Sequence, residues 1–327
     1  MAQTGRQLVV LSVLVSAISG AYITSVEHNG QGEIDVTYNV ALGQGEPYKE
    51  QMCSPSDRHF SYNPSSSAGP SQWWRISQCC GGHLQSPIAL DRHRARCASM
   101  PTPQYSMGNV SMKGKLHDSG HHVMLTFASD VTRPRLCNVG KKSDVMQYVL
   151  DHVHMHFGSP YSRGSEHVID DEQFQGEIHM VHYKAEHGSV SEAMLHRDGL
   201  TVVAIPISSQ RGDQNDQLYH LLQAVQGLDD VEHSVPFTLT PDALLPGRRD
   251  MFYYRGSLTT PPCSETVQFL VVDQPLHVSP DQLQVLWRLP SSEKSVPISR
   301  YGNVRPLVPA NNRPVLTNFV CWCCIFQ

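Results

Sequence analysis

Asp151-His152-Val153-His154-Met155-His156-Phe157-Gly158 carries three imidazoles at every second position of a run of strand-forming residues. Side chains alternate faces along a strand, so His152, His154 and His156 project to one side of a sheet. Glu177-Ile178-His179-Met180-Val181 repeats the device, with Glu177, His179 and Val181 on one face and His182 on the other. Two such strands side by side offer three imidazoles to a tetrahedral Zn2+ and leave its fourth position open, the catalytic arrangement rather than the structural one. Three neutral histidines and no thiolate keep the metal electrophilic, able to lower the pKa of bound water to near 7. Glu177 then has a natural task, since a ligating histidine usually donates its second N–H to a carboxylate or carbonyl. Alternation leaves open which two of His152, His154 and His156 bind. Satisfied histidines on a polar sheet face are the plain alternative.

Outward from these strands, β-rich runs at Val123 to Phe127, Gln147 to His156, Gly176 to Tyr183, Leu200 to Ile207 and Val267 to Val272 alternate with turns. Their lengths and spacing predict a β-dominated α+β domain. Two segments predict helices. From Asp216 to Gln226, Leu218, Leu221, Leu222 and Val225 share a face, and a second helix starts at Ser279 as N-cap with Pro280 first, followed by Leu283, Leu286 and Trp287. No linker or internal repeat interrupts 59–318, which reads as one domain.

The 327 residues carry Lys+Arg 25 against Asp+Glu 30, a net charge of -5, and are 40% hydrophobic, enough to bury a full core. Mild acidity without a long basic run argues against a nucleic-acid partner, and no glycine fingerprint for nucleotides stands in a strand-turn-helix context. The 18 His invite a search for metal sites.

Arg6, the apolar run Leu8-Val9-Val10-Leu11-Ser12-Val13-Leu14-Val15 and the small residues Ala17, Ser19, Gly20 and Ala21 predict a secretory signal over 1–20, too short to span a membrane. The mature chain is then expected to be secreted and extracellular, where cysteines pair. Nine Cys cannot all pair within one chain. Residues 21–58 read as an N-terminal extension that Cys53 could tie down, and 319–327 as a Cys-rich tail. Asn109-Val110-Ser111 is a glycosylation sequon. Arg211-Gly212-Asp213 matches a tripeptide read by adhesion receptors and is treated as an ordinary solvated turn.

Longer motifs carry a resemblance. Gly69-Pro70-Ser71-Gln72-Trp73, Gln85-Ser86-Pro87-Ile88, His154-Met155-His156-Phe157-Gly158, Gly164-Ser165-Glu166-His167, Glu177-Ile178-His179-Met180-Val181-His182, Tyr254 to Pro262 and Asn303-Val304-Arg305-Pro306 follow one another as in the α-class carbonic anhydrases. The chain resembles that family from about Phe60 to Phe319. The resemblance implies a large, twisted, mostly antiparallel sheet of about ten strands with short peripheral helices, and reversible hydration of CO2 to bicarbonate and a proton by zinc-bound hydroxide.

Residue by residue, it implies Zn2+ ligands His154, His156 and His179, with His152 where the family has Gln and able to hydrogen-bond His154. His156 would donate to the carbonyl of Asn303, and Glu177 would accept from His179. Thr259 would orient the hydroxide while donating to Glu166, and its backbone N–H would serve the developing anion. Val181, Val202 and Leu258, with Thr259 and Thr260, would line the substrate site. His121 would shuttle protons, an imidazole being suited by its near-neutral pKa. Around it Ser119 and Met124 replace polar residues, which touches the water chain. Phe157, Tyr183 and Phe269 stand where tryptophans are usual.

Secreted members join the positions of Cys80 and Cys263, and Cys79 is adjacent. The resemblance pairs none of Cys53, Cys97, Cys137, Cys321, Cys323 or Cys324. Sulfonamide inhibition is implied as well. The alternative function is a carbonic-anhydrase-like extracellular-matrix or biomineral-matrix protein with weak or no catalysis, in contact with matrix or mineral.

Overall fold

The structure, a computed structural model, describes residues 21–28, 34–40, 53, 59–98, 100–139, 147–209, 214–231, 233–292 and 296–319. The predicted signal over 1–20, Arg211-Gly212-Asp213 and Cys321, Cys323 and Cys324 lie outside them. The chain divides into two units, 1–49 and 50–327. In the first, Ala21–His28 pairs antiparallel with Ile34–Val40. An extension with little periodicity was the expectation there. Ile34, Val36, Tyr38 and Val40 in fact alternate with polar residues, the period of a strand, inside a Gly- and Asn-rich setting that masks it.

The second unit is built on a sheet of thirteen strands among the described residues. Its main path runs Ser234–Leu239, Met112–Asp118, Val123–Phe127, Tyr148–Phe157, Gly176–Lys184, Leu200–Ser208, Val267–Val272, Met251–Gly256, Leu316–Thr317 and Arg96–Cys97. The central pairs are antiparallel except Leu200–Ser208 with Val267–Val272. Leu200–Ser208 is buried along its whole length, as expected of a strand packed on both faces beside a parallel neighbour. Val203, Ile205 and Ile207 enter one core cluster and Val202 and Ala204 the other, so the sheet carries apolar packing on both sides.

Both predicted helices form, though the second is short. Asp216–Val225 is capped by Asn215 Oδ1, which accepts from Leu218 N–H at 2.9 Å, and Leu218, Leu221, Leu222 and Val225 are buried. Such a cap stabilises by about 1 kcal/mol. Pro280–Leu283 opens with a capping box between Ser279 and Gln282, then tightens into a 3-10 turn over Gln284–Arg288.

Strands Met112–Asp118, Ser234–Leu239 and Met251–Gly256 were not anticipated as such. In Met112–Asp118, Lys113 and Lys115 alternate with buried Met112 and Leu116, while Ser234–Leu239 contains Pro236, tolerated because this strand ends the path.

Candidate metal centre

Tyr148–Phe157 and Gly176–Lys184 pair so that His179 lies opposite His154 and Glu177 opposite His156. A bulge between Val181 and His182 follows. His182 faces the other side of the sheet, where its Nε2 meets Tyr105 Oη at 2.8 Å. Burial pushes the His182 imidazole down to about 4, so it is neutral there.

His154 Nε2 lies 3.1 Å from His156 Nε2, which lies 3.1 Å from His179 Nδ1. The outer nitrogens of two of these rings are committed. His156 Nδ1–H donates to the Asn303 carbonyl at 2.7 Å, and His179 Nε2–H to Glu177 Oε1 at 2.7 Å. The inward nitrogens of His156 and His179 therefore carry lone pairs, which face each other in a buried site. That arrangement is repulsive unless a cation lies between them. Nitrogens bound at about 2.0–2.1 Å to one tetrahedral zinc stand about 3.3 Å apart, close to the spacing of the His154–His156 and His156–His179 pairs. Glu166 Oε2 is buried without a hydrogen bond, 3.5 Å from His156 Nε2 and 3.9 Å from His179 Nδ1. The donor set of imidazoles and an unsatisfied carboxylate oxygen fits a divalent cation. Burial and the neighbouring imidazoles hold His154 well below the usual histidine range, which keeps it unprotonated and available as a ligand.

Glu177 is the hub behind His179. Besides that ring it accepts from His167 Nδ1–H at 2.7 Å and from the His167 backbone N–H at 2.9 Å. Tyr254 Oη then bridges His167 Nε2 at 2.7 Å and Ser86 Oγ at 3.0 Å. Burial alone would raise the Glu177 carboxyl, but His167 and His179 beside it hold it well below the carboxylate range.

Asn303 organises the other side. Its Nδ2 donates to the carbonyls of His121 and Met155, both at 2.9 Å, and its Oδ1 accepts from Phe157 N–H at 2.7 Å. One buried side chain thus ties the His121 turn to the end of the histidine strand.

Two expected contacts are not made. His152 does not hydrogen-bond His154: its Nδ1 turns to Asp151 Oδ2 at 2.8 Å, the two rings stack, and His154 Nδ1 is left buried without a hydrogen bond. The adjacent carboxylate is the stronger acceptor for an imidazole N–H. Nor does Thr259, which is buried, donate to Glu166, whose Oε1 accepts instead from the Arg305 backbone N–H at 2.9 Å.

Val181 and Val202 face each other across neighbouring strands and are buried, with Leu258 packed on the same cluster. Thr260 follows Thr259 in the loop after Met251–Gly256. His121 is half-buried at the turn after Met112–Asp118, its ring stacked on Phe60 at 4.3 Å.

The family model for eukaryotic-type carbonic anhydrase matches residues 68–319. The chain belongs to the carbonic anhydrase family. Human (Homo sapiens) carbonic anhydrase 3 is 32% identical over 257 residues, covering 77% of this chain and 95% of the relative. Mouse (Mus musculus) carbonic anhydrase 1 is 32% identical over 256 residues, with the same shares covered. Membership supports α-class carbonic anhydrase activity, the hydration of CO2, and does not favour the matrix-protein alternative.

In this carbonic anhydrase Cys80 is bonded to Cys263, as the resemblance implied, and Cys53 to Cys79. Cys97 is also disulfide-bonded, and Cys137 is the free cysteine among the described residues. No helix among those residues is long and apolar enough to cross a membrane. His167, Tyr254 and Ser86 lay in motifs visible in the sequence, but their joint role needs contacts spanning 168 positions between Ser86 and Tyr254, which no local pattern reports.

Proposed function

We propose that this chain hydrates CO2 as a secreted zinc enzyme, with His154, His156 and His179 holding the ion. The observation that carries the reading is the convergence of His156 Nε2 on His154 Nε2 and His179 Nδ1, with the backs of His156 and His179 already donating. Zinc bound there supplies a Lewis acid that makes hydroxide available from water near neutral pH.

The residues around it do the rest. Asn303 and Glu177 fix which ring nitrogens are free. Val181, Val202 and Leu258 form an apolar wall suited to CO2, which has no strong hydrogen-bond handle. Thr259 and Thr260 border the same space, and the Thr259 backbone N–H is the donor for developing negative charge. Glu166 Oε2, buried and unsatisfied, is the acceptor available to the Thr259 hydroxyl when the site is filled. His121, half-buried, passes the product proton toward solvent. His152 stands behind His154 as a packing partner.

Secretion is supported by the leader-like 1–20 and by the disulfides, which persist in oxidising compartments. Asn109 is exposed in a turn and suits a glycan acceptor. On this reading 59–318 is the catalytic domain, 21–58 an extension and 319–327 a tail.

The test is zinc content and stopped-flow CO2 hydration on one disulfide-bonded preparation. Wild type should bind one zinc and turn over CO2 with sulfonamide sensitivity, and His154→Ala should lose activity by about a thousandfold or more. Zinc-loaded wild type without hydration activity would falsify the reading.

A further inference from the structure

Tyr62 and His122 form a polar pair beside the histidine strand, with Tyr62 Oη 3.0 Å from His122 Nε2. His122 ends the turn Ser119–His122, in which Ser119 N–H donates to the His122 carbonyl at 2.9 Å and Ser119 Oγ accepts from His122 N–H at 3.0 Å. Asn303 Nδ2 holds the His121 carbonyl of the same turn, so its backbone is fixed. The His122 ring is buried, its centroid 5.1 Å from those of both His154 and His156. A His122 nitrogen lies within 4.8 Å of one on each of those two residues, whereas His179 groups with His156 and Glu166. His122 therefore stands at the His154–His156 edge, outside the set that would hold the cation. Tyr62 is locked as well: its ring packs edge-on against Trp73 at 5.5 Å, and Trp73 Nε1–H donates to the Ser61 carbonyl at 3.2 Å.

Whichever way that hydrogen bond runs, the pair keeps one donor to spare. If the Tyr62 hydroxyl donates to Nε2, His122 carries its proton on Nδ1, and if Nε2–H donates, the Tyr62 O–H is left over. His122 Nδ1 has no other partner among the described residues and is not enclosed as His154 Nδ1 is. The neighbouring groups offer lone pairs instead, on the inward nitrogens of His156 and His179 and on Glu166 Oε2. We propose, on the zinc reading above, that the His122–Tyr62 pair is a neutral hydrogen-bond donor that selects oxyanions, holding the second oxygen of a bicarbonate or other small carboxylate whose first oxygen lies on the cation. A planar oxyanion carries an acceptor at each end and bridges cation and donor, whereas a halide offers a single atom that stays on the cation. Both side chains are fixed by contacts that exist before any ligand arrives, so little ordering is lost on binding.

The deciding measurement is anion affinity on the cobalt-substituted protein, read from its visible spectrum without turnover, with bicarbonate, formate and iodide as probes. His122→Phe, which keeps a ring and loses both nitrogens, should weaken bicarbonate and formate about tenfold or more, and iodide by less than about twofold. His122→Gln keeps an N–H donor and should restore most of the affinity for both oxyanions. Tyr62→Phe should weaken them about threefold, since the imidazole keeps an N–H but loses the partner that fixes its tautomer. Melting curves separate a folding defect in any variant from a lost donor. Unchanged oxyanion affinity in folded His122→Phe, or an equal loss for iodide, overturns the inference and leaves the zinc reading intact. Wild-type protein that binds neither cobalt nor zinc overturns both.

Discussion

His179 and His154 face each other across the same pair of strands and are supported in opposite ways. Behind His179 stands a buried chain of Glu177, His167, Tyr254 and Ser86 in which each link is a hydrogen bond of 2.7 to 3.0 Å. Behind His154 stands His152, which spends its Nδ1 on the half-buried Asp151 and leaves His154 Nδ1 unpaired. The difference teaches that one end of the pocket is fixed by its own polar network before any metal binds. The other depends on stacking and on Asn303 through the neighbouring His156.

The largest test removes the hub. Glu177→Ala leaves His167 and His179 buried without their acceptor, and breaking such a pair costs about 3–5 kcal/mol. Zinc affinity should fall ten- to a hundredfold as well. Denaturant unfolding of the apo protein and chelator competition on the loaded one measure the two effects. Equal losses from His152→Ala would dissolve the contrast, because that substitution is expected to cost less than about 1 kcal/mol at a partly exposed position.

Further along the same chain, Tyr254→Phe removes one hydroxyl that serves both His167 and Ser86. A buried hydrogen bond lost with one acceptor or donor left behind costs about 1–3 kcal/mol. The variant should unfold at lower denaturant with an unchanged denaturant slope. No loss would mean that the network ends effectively at His167.

These contacts also mark how far the sequence could be read. The three-fold alternation of histidines placed the pocket on a sheet face because strand periodicity is local, and His182 pointing away followed from the same rule. The helix Asp216–Val225 was legible for an equally local reason, its four apolar residues and its cap. The strands with Lys113, Lys115 or Pro236 were not, since their identity depends on which neighbour they pair with. The polar partner of His152 was misjudged because Gln and His both offer a hydrogen bond, and only three-dimensional placement shows that Asp151 takes it.

Asp118, in register with Val123 and through it with Met155, offers a pH test. Burial, offset in part by the Gly120 N–H at 2.7 Å, raises its carboxyl from 3.8 to about 6. The folded protein therefore keeps a proton that the unfolded chain has released between about pH 4 and pH 6, so stability falls as pH rises through that window. Asp118→Asn keeps an oxygen for Gly120 and removes the buried charge. It should stabilise the protein by about 1–2 kcal/mol at pH 7, after allowance for partial solvent screening. At pH 4 the gain should vanish. A gain independent of pH would assign it to packing.

The smallest effect expected is a repair of the weak end. His152→Gln places an amide oxygen where it can accept from His154 Nδ1–H, giving that ring the support that His156 and His179 already have. Asp151 keeps Arg133, whose Nη1 is 3.6 Å away, so the substitution does not strand a carboxylate. Zinc should leave about two- to tenfold more slowly than from wild type, since one outer hydrogen bond is gained and none of the inward nitrogens changes. If release is unchanged, stacking by His152 already orients His154 as well as a hydrogen bond would, and the asymmetry between the two ends is one of chemistry without consequence for metal retention.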